Sequence, residues 1–280
     1  MTVINTNTGS IYAQQALIAN SRGLDRTMNQ LSTGKRINNS VDDVAGMAIA
    51  TRLSAQIRGL NQAVRNANDG ISIIQTAEGA TEQVTNMLQR MRELAVQASN
   101  DTYNTDDRTF LNMEFQALNS QIDTIATNTQ WNAADLLNGP SRDLGLGVFS
   151  FQVGANAAQT ISITFPNMKT SGAGLLASVA PTAITSTTAA NSALGTISSA
   201  LDTVNLERAK MGAIISRLQF TADNLFSVSA KASESRSRIE DTDYAVATTD
   251  LARRNIIQQA AQSMLAQANQ APQLVLQLLK

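Results

Sequence analysis

The chain has 280 residues, enough for one large or two modest domains, with a net charge of −1 and only 15% charged residues. An ordinary soluble domain carries roughly 25%, and so balanced a charge gives no general pull toward nucleic acid or an acidic membrane. Cysteine and histidine are both absent, which excludes disulfides, thiol catalysis, Ser-His-Asp triads and histidine-ligated zinc.

Residues 1 to about 35 read as a helical arm. Ile11, Leu17, Leu24, Met28 and Leu31 form an apolar stripe narrow enough to be a helix–helix seam. Its start, Met1 to Ser10, is polar and lacks the charged and apolar regions of a signal peptide, which by itself predicts a cytoplasmic protein. No uninterrupted apolar run is long enough to span a bilayer. Residues 31–43 interrupt the helical pattern with Gly34 and the Asn38–Asn39 pair and read as a connector. Ser40 with Asp43 fits a helix-start capping pair, and Asp42 with Asp43 suits the positive end of a helix.

A long helix is predicted from about 43 to 99. Ile57, Leu60, Val64, Ala67, Ile71, Ile74, Ala77, Thr81, Val84, Leu88, Met91 and Ala95 step by three and four, a coiled-coil periodicity extending roughly 85 Å. Gly46, Gly59, Gly70 and Gly79 lie inside it, each costing about 1 kcal/mol relative to alanine. Close helix–helix approach is the expected compensation. Asn100 to Asn104 reads as a turn. A second helix carries Leu111, Phe115, Leu118, Ile122 and Ile125 on one face, and Trp131 to Pro140 ends it in a loop.

The texture then changes: between Asp143 and Asp202 the only charged residue is Lys169. Phe149, Phe151 and Val153 alternate with polar residues, as do Ile161, Ile163 and Phe165, predicting a hairpin that turns near Gly154–Asn156. A lone hairpin is marginal in water, so it should pack on the long helices. Residues 166 to about 190 are small and read as exposed. Helical spacing returns at Leu194, Ile197, Leu201, Val204, Met211, Ile215, Leu218, Ala222 and Leu225, with Arg208 at the one step that lands on a charge. Ser233 to Asp243 is highly charged and marks a joint. The last arm carries Leu251, Ile257, Ala261, Met264, Leu265 and Ala268 at helical spacing. The two arms either pair with each other and close a bundle, or assemble with copies of the chain. The predicted class is mainly α, a long coiled-coil-like bundle with paired terminal helices and a small β-hairpin region.

Several candidate sites have plainer readings. Asp241 and Asp243 lack the glycine-containing loop of a calcium site, so helix capping near Thr242 is expected. Arg253–Arg254 reads as a solvated or intersubunit pair rather than an anion site. Gly145 and Gly147 fit no phosphate-binding pattern. No cofactor or metal is expected.

Five stretches carry a resemblance: Leu-Ser-Thr-Gly-Lys-Arg-Ile-Asn-Asn-Ser-Val-Asp-Asp-Val-Ala-Gly (31–46), Arg-Asn-Ala-Asn-Asp-Gly-Ile-Ser (65–72), Leu-Gln-Arg-Met-Arg-Glu-Leu-Ala-Val-Gln (88–97), Ser-Arg-Ile-Glu-Asp-Thr-Asp-Tyr-Ala (237–245) and Leu-Ala-Gln-Ala-Asn-Gln-Ala-Pro-Gln (265–273). In this order they resemble the bacterial flagellins over nearly the whole chain, in a short form without large outer domains. The resemblance implies a subunit that polymerises into the flagellar filament for swimming. It implies that 1–42 and 237–280 form the inner core, 43–140 and 190–236 the outer tube, and 141–189 a short variable tip. It also implies arms that fold on assembly, and export through the flagellar type III channel to the extracellular flagellum, which replaces the cytoplasmic expectation. Implied partners are copies of the chain, the export chaperone, the filament cap and junction proteins, and a host Toll-like receptor, with neither nucleic acid nor membrane. Arg90, Leu94 and Glu114 match the family's receptor-contact positions, with subunit stacking as the plainer role. Leu17, Leu24, Met28, Leu31, Leu251, Ile257, Met264 and Leu265 would form the polymerisation core. Ile256, Ile257, Leu265, Leu274 and Leu276 lie in the segment that the chaperone would hold. The nearest rival is a hook–filament junction protein, which shares the terminal motifs. A hydrolase displayed on a filament would need a catalytic insert, and a type III translocator a strongly apolar helical hairpin. The sequence has neither.

Overall fold

The computed structural model describes residues 6–139 and 148–277, with side-chain surroundings as far as 270. Along the chain it forms α1 (Thr8–Thr33), α2 (Val44–Ala98), α3 (Thr105–Asn128), β1 (Gln130–Trp131), β2 (Ala134–Asp135), β3 (Val148–Gln152), β4 (Thr160–Thr164), α4 (Thr187–Glu240) and α5 (Tyr244–Gln277). Local chemistry sets the ends. The Asn7 side chain accepts from the Ser10 N–H at the start of α1, and Gly34 closes it with φ 70°, its N–H donating to the Gln30 carbonyl. The helix therefore continues through Leu31–Thr33, and the connector begins at Gly34. The cap of α2 is Asp43 alone, whose Oδ1 accepts from the Gly46 N–H at 2.9 Å, rather than a Ser40–Asp43 pair. Asp42 is spent inside the connector: its Oδ2 accepts from the Asn38 and Asn39 N–H groups and its Oδ1 pairs with Arg26 at 3.0 Å. Asn104 and Asp107 form a complete capping box on α3.

The chain divides into two compact units, Met1–Ile57 with Ala230–Lys280, and Arg58–Ser229. In the first, α1 and α5 run antiparallel, tied by Asn7 Nδ2 to the Ala268 carbonyl and by Asn20 Nδ2 to the Arg254 carbonyl at 2.9 Å. The connector clasps the α4–α5 joint at 241–243. The Arg36 N–H donates to the Glu240 carbonyl at 2.6 Å and the Thr242 N–H to the Gly34 carbonyl at 2.9 Å. The Arg36 guanidinium donates to the Ile239 carbonyl at 2.7 Å, and Lys35 pairs with Glu240 at 2.6 Å. A helix leaves its last carbonyls unpaired and bears partial negative charge there. Two cationic residues of the connector thus finish the end of α4.

In the second unit α3 lies antiparallel to α2, with Arg108 Nε donating to the Ala98 carbonyl. Helix α4 is also antiparallel to α2, linked through Thr187–Asp101, Arg208–Glu78 and Ser229–Asn61. Consequently α3 and α4 are parallel. Ile74, Leu88, Met91, Leu94, Phe115, Ile122 and Ile197 are fully buried between them. The β3–β4 hairpin has the predicted alternation, with Phe149 opposite Ile163 and Phe151 opposite Ile161, and its inward residues join the same core.

The hairpin explains two of the interior glycines, contrary to the expected helix–helix approach. A Cβ at Gly70 would lie 3.1–3.2 Å from the Phe151 ring and one at Gly59 3.1 Å from the Ala155 methyl. Gly46 backs onto Asp43 and Ile37, while among the described residues nothing lies within 4 Å of a Cβ at Gly79. Three further expectations change. The loop after α3 contains a tight hairpin, β1–β2, turned by Asn132 and Ala133 in the left-handed region. Residues 166–186 are not an exposed loop: Met168, Thr170, Leu176, Val179 and Ile184 are buried. Helix α4 begins at Thr187, a little earlier than the apolar pattern indicates. Pro140 and the Gly145–Gly147 segment lie outside the described residues.

Candidate assembly and recognition surfaces

The α1–α5 seam is built from small and polar residues as much as from apolar ones. Ala13, Leu17, Asn20, Leu24, Thr27 and Leu31 of α1 are buried or half-buried, as are Ala247, Leu251, Arg254, Ala261, Leu265 and Ala268 of α5. Arg254 is not a solvated cation: its guanidinium lies over Gly23, the one position in that turn without a side chain. Arg253 is exposed. The eight residues expected in a polymerisation core therefore separate. Leu17, Leu24, Leu31, Leu251 and Leu265 sit between the chain's own arms, whereas Met28, Ile257 and Met264 are exposed. Ile256, at 67% exposure, and Ile11 and Ile18 face outward as well. Leu274 and Leu276 lie outside the described side chains. This pair of helices leaves large apolar side chains on its outside, among polar ones such as Gln14, Arg22 and Asn29, and sets polar groups beside the leucines of its seam.

Arg90, Leu94 and Glu114 come together where α2 meets α3. Arg90 Nε donates to Glu114 Oε1 at 2.9 Å and Nη1 to Glu93 Oε2 at 2.9 Å. The hydrogen bond to Glu114, then that to Glu93, holds the guanidinium pKa above its ordinary value, and the two bonds orient its fork. Leu94, one turn along α2 from Arg90, is 0% exposed and belongs to the buried core, so it offers a partner no surface of its own.

Asp243 caps α5, its Oδ1 accepting from the Ala245 and Val246 N–H groups, so the capping residue is one beyond Thr242. Among the described residues no three carboxylates cluster as metal ligands, and no helix is long and apolar enough to cross a membrane. Asp123 has a role that sequence reasoning missed. Its Oδ1 accepts from the Thr170 N–H at 2.6 Å, the Thr170 hydroxyl and the Ser171 N–H. Burial acts to raise its pKa, but the hydrogen bonds from Ser171 and Thr170 outweigh it, and the carboxyl sits below its usual value. Also missed were exposed apolar side chains of the second unit, Phe110, Met113, Phe220 and Phe226. The available signal was that they fall out of step with the buried stripes of α3 and α4.

Comparison with known proteins adds family to geometry. Residues 4–141 match the bacterial flagellin N-terminal helical region and residues 194–279 the bacterial flagellin C-terminal helical region. The chain is 43% identical to a flagellin of Halalkalibacterium halodurans, over 99% of this chain and 100% of that one. It is 39% identical to a flagellin of Bacillus subtilis, over 99% of each. Among solved structures, Bacillus cereus flagellin superposes with a TM-score of 0.50 at 26% identity, over 57% of this chain and 88% of that one. A protein from Vibrio parahaemolyticus classed with the flagellar hook-associated proteins reaches 0.60 over 71% of this chain and 100% of that one. At 13% identity it shares the fold alone.

Proposed function

This chain belongs to the bacterial flagellin family, and we propose that it builds its polymer through the outward apolar faces of its paired arms. It is a subunit of the flagellar filament, a structural protein of motility. The observation that carries the reading is the set of large apolar side chains left exposed on the α1–α5 pair, Ile18, Met28, Ile256 and Met264 among them, while Asn20, Thr27 and Arg254 share the seam with leucines. Ordering a residue costs about 1–2 kcal/mol, and a seam in which leucines alternate with small and polar side chains offsets only part of that. Neighbouring copies supply the missing burial, so the arms fold as the polymer grows. In this reading 1–42 and 237–280 form the inner core, 43–140 and 190–236 the outer tube and 141–189 the tip. Contact between unlike faces gives open-ended assembly, and the work is mechanical rather than enzymatic.

The same surfaces serve other partners in turn. The chaperone holds Ile256, Ile257, Leu265, Leu274 and Leu276 before export through the type III channel to the extracellular flagellum, where cap and junction proteins meet the ends of the polymer. A host Toll-like receptor contacts Arg90 and Glu114, while the buried Leu94 anchors this stretch of α2 in the core. Seeded growth tests the central claim. Monomer added to short filament fragments should give long tubes, with the arms protected from protease only after growth. Ile18→Asp and Ile256→Asp monomers should keep the far-UV spectrum of the parent and fail to elongate. Normal tubes from both variants would refute the outward-face assignment.

A further inference from the structure

We propose that the outward face of α3 in one copy docks laterally on the outward face of α4 in a neighbouring copy, with the two helices parallel. This rests on the filament reading above and adds a contact in the second unit, away from the arms. Phe110 and Met113 on α3 are 68% and 65% exposed, and Phe220 on α4 is 76% exposed. Large apolar side chains in rows mark interaction surfaces more than single ones do, and these lie in rows. On α3 the row is Asp106, Phe110, Met113 and Ala117; on α4 it is Arg217, Phe220, Asn224 and Val228. All eight residues are exposed. Each row advances by threes and fours over three turns, and so stays on one face of its helix.

Charge at the head of each row supplies the complement. Asp106 and Arg217 form no ion pair among the described residues. Sense follows from the architecture. Within one copy α3 and α4 are parallel, and copies standing side by side around a tube are related by rotation about its axis, so they point the same way. Setting Asp106 level with Arg217 in the parallel sense brings Phe110 within one residue of Phe220, and Ala117 level with Val228. The antiparallel alternative requires a two-fold axis that an open-ended polymer lacks. It would also leave Phe220 level with Tyr103, off the start of α3. The contact joins two different faces, so each copy offers one and receives one, and nothing closes the chain of contacts short of the complete tube.

The chain has no cysteine, which gives a clean cross-linking test. In filaments carrying Met113→Cys with Asn224→Cys, mild oxidation should yield disulfide-linked dimers and longer ladders on non-reducing gels, while oxidised monomer stays single. Separately, Asp106→Arg and Arg217→Asp should each raise the critical concentration for seeded growth by about fivefold, and the double reversal should return it to within about twofold. Thermal melts of the monomers show that each variant folds. Filaments that remain uncrosslinked, or single reversals with unchanged critical concentration, would overturn the contact while leaving the filament reading intact. Failure of the unaltered chain to elongate seeds would remove the filament reading, and this contact with it.

Discussion

Replacing Gly70 and Gly79 by alanine should shift the stability of the second unit in opposite directions, although both lie inside α2. Helix propensity alone favours each change by about 1 kcal/mol. At Gly79 nothing among the described residues stands within 4 Å of the new methyl, so most of that gain should appear. At Gly70 the methyl meets three atoms of the Phe151 ring at 3.1–3.2 Å, inside the roughly 3.5–4.0 Å of comfortable carbon contact. The ring must retreat by a few tenths of an ångström. It sits on β3 opposite Ile161 and packs against the buried core, and forcing such a site typically costs about 1–3 kcal/mol. The net for Gly70→Ala is then between zero and about 2 kcal/mol of destabilisation. In a unit of this size each kcal/mol moves the melting temperature by about 2–4 °C. Urea and thermal unfolding of the monomer, followed by far-UV dichroism and by the fluorescence of Trp131, the only tryptophan, measures both variants. If Gly70→Ala proves as stabilising as Gly79→Ala, the hairpin is not seated on α2 as described and the account of that glycine fails.

Three further predictions follow from the same geometry. Leu94→Ala should cost the second unit about 2–5 kcal/mol in urea unfolding, since the side chain is wholly buried, whereas Arg90→Ala should leave the urea midpoint unmoved yet weaken receptor activation by the monomer; equal stability of both variants would contradict this division. Asp123, with its folded pKa lowered, contributes stability that is fully present above the ordinary carboxylate pKa and is lost as pH falls through the folded value, below about pH 4. Asp123→Asn should therefore flatten the dependence of the urea midpoint on pH below 4, and an unchanged acid limb would mean that the Thr170–Ser171 clasp is not formed. Asn104→Ala removes half of the capping box and should destabilise by about 1 kcal/mol, read from the same unfolding curves.

The long helices were legible in the sequence because a coiled-coil stripe is a local signal: twelve positions from Ile57 to Ala95 fix α2 without reference to anything it touches. The β3–β4 hairpin was equally plain from its alternation. Family membership came from five motifs in order, and it named the parts of the site without showing how they face. The tertiary structure alone decided which side of each arm is occupied. Leu17 and Met28 look equivalent as apolar residues at helical spacing, yet one is half-buried against α5 and the other is 54% exposed. Only the partner helix distinguishes the two sides of a stripe. It likewise decided that Leu94 is buried while Arg90 and Glu114 are exposed, that Asp42 serves the connector while Asp43 caps the helix, and that residues 166–186 are packed. Those 21 small, nearly uncharged residues show no periodicity, because what buries them is a non-local surface, held at one point by Asp123 from a helix more than forty residues earlier. Periodicity reports contacts made along a regular element, and it is silent about contacts that depend on where another element comes to rest.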